Sequence, residues 1–137
     1  MLELILKVTI SIFLGYLIGY ERERQGKVVG TRTVSLIALG SALFVIMSPS
    51  IFNGDNSRIV AQVVSGIGFL GAGIIFKDGN TVRGLTTAAT IWCSAAIGCL
   101  CGLGMYKEAA IGTAGVLFVN TIFRYIKHKD NETENEN

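Results

Sequence analysis

The chain has 137 residues, of which 50% are hydrophobic and 16% charged, with a single proline and a mean hydropathy of +0.53. A water-soluble domain usually carries about 25% charged residues, and one of this size could not bury so much apolar sequence. The net charge of +2 is too small to argue for a nucleic-acid partner.

The composition predicts an all-α fold: a polytopic membrane helix bundle over residues 1–126, followed by a polar, disordered tail over 127–137. Five spans are expected. The first runs from about Leu4 to Tyr20, just long enough for a hydrocarbon core of about 30 Å. Nothing separates it as a cleavable signal, so it reads as a retained helix. Ser11, Gly15 and Gly19 recur along it at steps of four, a strip of small residues suited to close helix contact. A charged loop follows, from Glu21 to Arg32. The second span runs from about Thr33 to Met47, where Pro49 is expected to stop it, and Ser50 to Ser57 reads as a polar turn.

The third span is expected from Ile59 to Phe76. Ala61, Ser65, Gly68 and Ala72 form its small-residue strip. Gly66-x-Gly68-x-x-Gly71 formally matches a dinucleotide-binding fingerprint, but that motif needs a preceding strand and an acid about 20 residues later. Here the glycines lie inside one apolar run, and position 86 is Thr. Lys77-Asp78-Gly79-Asn80 turns the chain back into a fourth span, Leu85 to Leu103, with a strip at Ser94, Gly98 and Gly102. The fifth span is expected from Ala109 to Tyr125. The two leading pairs of spans look like weak copies of each other, each with a glycine strip, an acid, then arginine and threonine.

Candidate polar chemistry is sparse. No acid lies within a span, whereas carriers of ions usually keep one there. Glu21, Glu23 and Asp78 sit at one boundary beside Arg22, Arg24, Arg32, Lys77 and Arg83. Mg²⁺ favours carboxylates with retained waters, so these acids would bind it only with the arginines turned away. An ion-pair network closing the helix ends is the simpler reading. Gln62, Thr86, Thr87, Thr90 and Asn120 read as interhelical hydrogen-bonding groups, and Trp92 as packed on a neighbour. Cys93, Cys99 and Cys101 form no Cys-x-x-Cys pair and read as packing residues. No nucleophile–base pair exists, so neither an enzyme nor a cofactor is expected.

Positive charge sets the expected orientation. Arg22, Arg24, Lys27, Arg32, Lys77, Arg83, Arg124, Lys127 and Lys129 share one side in a five-span arrangement, against Lys7, Arg58 and Lys107 on the other. That bias places the C-terminus in the cytoplasm and the N-terminus outside.

Gly15-Tyr16-Leu17-Ile18-Gly19-Tyr20-Glu21-Arg22-Glu23, Gly30-Thr31-Arg32-Thr33, the run from Arg58 through Gln62 to Gly73, and Val82-Arg83-Gly84-Leu85-Thr86-Thr87-Ala88-Ala89-Thr90 resemble the MgtC/SapB family of bacterial inner-membrane proteins. The resemblance implies a multi-pass protein of the inner (plasma) membrane that supports growth at low Mg²⁺ and survival inside phagocytes. It further implies a regulator, associated with restraint of the F-type ATP synthase and with control of membrane potential and phosphate uptake. Carried over by motif, the residues of interest are Glu21, Arg32, Arg58, Gln62, Asp78, Arg83 and Thr86. Longer members carry a soluble C-terminal domain, whereas here the polar tail ends at Asn137. Position 86 is Thr where a well-described member has Asn.

Two functions follow as expectations. The first is a membrane regulator acting through helix contacts, with itself as a dimer and with a larger membrane complex, among membrane lipids. The alternative is a transporter or channel for Mg²⁺ or another cation, with Glu21, Asp78 and Gln62 near the path.

Overall fold

The computed structural model describes the backbone of residues 1–51 and 55–134, and the side chains of residues 1–49 and 55–123. The helices are α1 Leu2–Arg24, α2 Thr31–Ile51, α3 Asn56–Ala72, α4 Leu85–Leu103 and α5 Tyr106–Glu134. Between α3 and α4 stands an antiparallel hairpin, β1 Phe76–Asp78 paired with β2 Thr81–Arg83. The molecule is therefore mostly helical rather than purely so.

Several boundaries differ from the sequence-based expectation. α1 continues through its charged end, where Arg22 and Arg24 suit the negative pole of the helix, and Gly26 at φ 65° follows its end. α2 begins at Thr31, whose backbone N–H donates to Glu23 Oε2 at 3.1 Å and whose hydroxyl bonds the same oxygen. That carboxylate satisfies an amide at the helix start that has no partner within the helix. Pro49 lies inside α2 rather than ending it; so near the C-terminus, the missing N–H removes only one late bond. The expected turn at Ser50 to Ser57 falls partly on residues 52–54, outside the described residues.

α3 ends four residues earlier than expected. Gly73 donates to the Phe69 carbonyl at 3.1 Å, and the chain then extends into β1. Gly79 takes φ 59° at the two-residue hairpin loop. Gly84 takes φ 90°, and an added Cβ there would lie 2.1 Å from the Ile74 carbonyl oxygen. The close return of Gly84 against Ile74 holds this segment off the helical path. α4 has the expected bounds, closed by Gly104 at φ 79° and by a Met105 N–H donating to the Leu100 carbonyl at 2.9 Å. α5 runs past residue 126, where the sequence places a polar tail, to Glu134; residues 135–137 lie outside the described residues.

α2 and α4 form the centre of the bundle, and α4 packs on each of the other four helices. A Cβ added at Gly15 would stand 2.9 Å from Ser35 Cα, and at Gly19 2.5 Å from Thr31 Cα. As α1 advances, its contact on α2 retreats, so the two are antiparallel. A Cβ at Gly98 would lie 2.2 Å from the Ala38 carbonyl oxygen, and at Gly102 2.8 Å from that of Ala42. α4 therefore runs parallel to α2. Gly112 on α5 faces Ile97 and Asn120 faces Thr90, which sets α5 antiparallel to α4. Ile18, Val34, Val45 and Ile91 are buried between these helices.

The outward faces are apolar as well. Phe13, Leu36, Phe69, Ile111 and Phe123 are exposed, and so is Trp92, at 52%. The expectation that Trp92 packs on a neighbour within the chain is thus corrected: α4 turns its small face to α2 and its indole outward. Among the described residues, α1, α2 (Thr31–Pro49) and α4 are long and apolar enough to cross a membrane. α3 has 17 residues, about 26 Å at the helical rise.

Candidate functional site

The antiparallel path brings the end of α1, the start of α2, the hairpin and the start of α4 to one end of the bundle. Here Arg22 is 1% exposed, and its Nη2 donates to Thr87 Oγ1 at 2.5 Å. Its burial follows from helical spacing. Ser11, Leu14, Gly15, Ile18 and Gly19 form the inward face of α1, and position 22 continues it at i+4 from Ile18. Among the described residues the Arg22 Nε has no hydrogen-bond partner. The neighbouring Glu21 is half-buried, its carboxylate oxygens are shielded from solvent, and its charge favours the guanidinium. Removing a guanidinium from water costs several kcal/mol unless such partners remain.

Thr87 opens a polar track along the inner face of α4. Thr90 and Ser94 follow at steps of three and four, all buried. Their hydroxyls donate back along the helix, Thr90 to the Thr86 carbonyl at 2.8 Å and Ser94 to the Thr90 carbonyl at 2.7 Å. Asn120 Nδ2 adds a long contact to Thr90 Oγ1 at 3.4 Å, tying α5 to this track. At this end two threonine hydroxyls bond charged groups, Thr87 accepting from Arg22 and Thr31 donating to Glu23.

Of the residues singled out by sequence, Glu21, Arg32, Asp78, Arg83 and Thr86 come to this end. Arg32, Asp78, Arg83 and Thr86 are all exposed, and Asp78 pairs with Thr81 and Arg83 with Phe76 in the hairpin. Arg58, in the first turn of α3, lies at the opposite end, with Gln62 one turn further in; both are exposed. The sequence reading of Thr87 as an interhelical hydrogen-bonding group is borne out by its bond to Arg22, although neither residue is among those carried over by motif. Among the described residues no group of three His, Cys, Asp or Glu side chains could hold a metal ion, so Glu21, Glu23 and Asp78 do not form such a set.

The strips of small residues divide in the same way. Gly15, Gly19, Gly98 and Gly102 lie against α2, whereas Ser65, Gly68 and Ala72 on α3 are exposed, and a Cβ at Gly68 would meet nothing within 4 Å. Beside that strip a groove of about 920 Å³ opens between α2 and α3. Leu36, Phe44, Ile59 and Leu70 line it with other apolar residues, and Gln62, Ser41 and Thr33 add isolated polar atoms. Gly66 faces it within an unbroken helix, which excludes the strand–turn–helix context of a nucleotide fingerprint.

The sequence profile of the MgtC family matches residues 8–129. The chain belongs to the MgtC family. It is 54% identical over 116 residues to Protein MgtC of Brucella abortus, a match covering 83% of this chain and 48% of that protein. Protein MgtC of Salmonella typhimurium is 46% identical over 132 residues, 96% of this chain and 57% of the relative. An uncharacterized protein of Synechocystis is 49% identical over 133 residues, 93% and 56% respectively. The chain thus spans about half the length of the curated relatives it matches. No solved structure gives a significant match. The resemblance read from the motifs is borne out, and with the apolar helices it makes this MgtC-family chain a membrane protein.

Proposed function

We propose that this protein is a non-enzymatic regulator in the bacterial inner membrane, crossing it five times with the N-terminus outside. It acts by docking helices onto itself and onto a larger membrane complex. The observation that carries this reading is the uncovered strip on α3. In lipid, small residues matter where two backbones meet, because association is driven by close packing rather than by hiding apolar surface. α1 and α4 use their strips on α2, whereas Ser65, Gly68 and Ala72 are exposed, and a Cβ at Gly68 would meet nothing within 4 Å among the described residues. A helix from a second molecule fits that face.

The motif resemblance adds the setting: adaptation to low Mg²⁺ and survival in a host, with the F-type ATP synthase as the complex to test first. Crosslinking and pull-down from intact membranes, grown with and without Mg²⁺, should recover a homodimer and one defined membrane partner. Gly68→Leu should abolish both while leaving the folded protein as abundant as before, and Leu70→Val should leave both intact. Saturable Mg²⁺ flux in liposomes, lost on Glu21→Ala, would instead make cation transport the primary role.

A further inference from the structure

We propose that the groove between α2 and α3 retains one anionic phospholipid, its acyl chain along the groove and its headgroup among Arg32, Lys77 and Arg83. This site is independent of the strip at Ser65, Gly68 and Ala72, which faces away from α2 except at Ala72.

The groove has the size and chemistry of a ligand site. Its volume of about 920 Å³ falls within the range of about 300–1,000 Å³ seen for small-molecule sites. On α3 its lining runs from Ile59 to Ala72, about 20 Å at 1.5 Å per residue. That exceeds one leaflet of hydrocarbon, about 15 Å. A narrow, flexible hydrocarbon chain suits an apolar groove of that length. Gly40 on α2 and Gly66 on α3 both line the groove, and neither would bring an added Cβ within 4 Å of another group. Both are open helix positions where glycine weakens the helix, and their lack of side chains keeps the groove wide.

Charge fixes which end receives the headgroup. Thr33 and Ile74 line the groove at the end where α2 begins and the hairpin starts. Arg32 precedes Thr33, and Lys77 and Arg83 lie on the hairpin that follows Ile74; all three are exposed. Asp78 is the one acid on those two strands. At the other end, Arg58 precedes Ile59 but stands near Asp55, whose carboxylate it attracts. A phosphate is therefore favoured at the hairpin end, where each nearby Lys or Arg contributes to holding an anionic headgroup.

The test uses the full chain in a mild nonionic detergent, incubated with phosphatidylglycerol or phosphatidylcholine of equal chain length. Bound lipid is counted by native mass spectrometry. One phosphatidylglycerol per chain should survive transfer, and phosphatidylcholine should be lost. Gly66→Leu should reduce retention about tenfold, while Gly68→Leu, outside the groove, should match the parent protein. If Gly66→Leu fails to elute as a folded species, Gly40→Leu serves the same purpose from the α2 side. Arg32→Gln should lower the preference for phosphatidylglycerol about fivefold. Undiminished retention in the filled-groove variant, equal retention of the two lipids, or crosslinking of Gly66→Cys to a second copy in the groove would each overturn the assignment.

Discussion

At the scale of single residues, Arg22 is the most consequential side chain that the motifs did not single out. A buried guanidinium in a membrane helix persists only while its partners remain. Arg22→Ala should destabilise the protein by about 2–5 kcal/mol, because it empties a fully buried position and removes the charged partner of Thr87. Thr87→Val should cost less, about 1.5–3 kcal/mol, the range for a hydrogen bond to a charged group. Thr86→Val, at an exposed position, should stay within about 0.5 kcal/mol. Thermal unfolding in detergent checks all three, and equal effects at 86 and 87 would refute the assigned geometry. This contrast was legible in the sequence. Position 22 follows Ile18 by four, and position 87 precedes Ile91 by four and Ser94 by seven, so both lie on faces already marked by small residues. Attention to charge at the boundary obscured that spacing, since a charged residue is presumed to point toward water.

At the scale of elements, glycine decides which helices touch. Gly98→Ala would place a methyl 2.2 Å from the Ala38 carbonyl oxygen, a backbone atom with little room to move. Its cost should reach the upper part of the range for overpacking, about 1–3 kcal/mol. Gly40→Ala meets nothing and should stabilise α2 by up to about 1 kcal/mol through helix propensity. The same measurement separates the two signs. α3 offers a pH test. Asp55 precedes it, outside the membrane-crossing helices, and accepts hydrogen bonds from the Ser57 hydroxyl and from the Ser57 backbone N–H at 3.0 Å. Those bonds hold the Asp55 carboxyl below its ordinary value. A depressed acid stabilises above its unfolded value, about 3.9, and loses that contribution as pH falls through the lower folded value. The protection of amides in the first turn of α3, taken relative to their intrinsic exchange rates at each pH, should therefore be constant between about pH 6 and 8 and fall below about pH 4. Strip spacing and the bounds of α4 could be read from sequence because they depend on period and caps. The hairpin could not, because it depends on Gly84 meeting Ile74, a contact between segments distant in helical register.

At the scale of the whole molecule, two unrelated properties coincide. The helix directions follow from packing contacts, chiefly at glycine, and they bring Arg22, Arg24, Lys27, Arg32, Lys77 and Arg83 to one end. Lys7 lies at the other, with its Cε 3.8 Å from where a Cβ on Gly104 would stand, next to the turn before Lys107. Packing and charge therefore describe the same axis. The suspected repeat is less well matched. α1 meets α2 tightly through Gly15 and Gly19, whereas α3 meets α4 at Gly71, where a Cβ would stand at an ordinary contact distance of 3.5 Å from Ala88, while Gly66 and Gly68 meet nothing. A hairpin stands where the first pair has a loop. That asymmetry leaves α3 as the helix with surface to spare. If the cationic end is cytoplasmic, Lys27→Cys should react with a membrane-impermeant maleimide only in inside-out vesicles, and Lys107→Cys only in intact cells with a permeabilised outer barrier. The native thiols should not interfere. Cys99 and Cys101 are buried within α4 and Cys93 is half-buried on it, and reaction requires a thiolate in contact with water. Labelling of both positions from the same face would break the link between packing direction and charge, and with it the five-span arrangement.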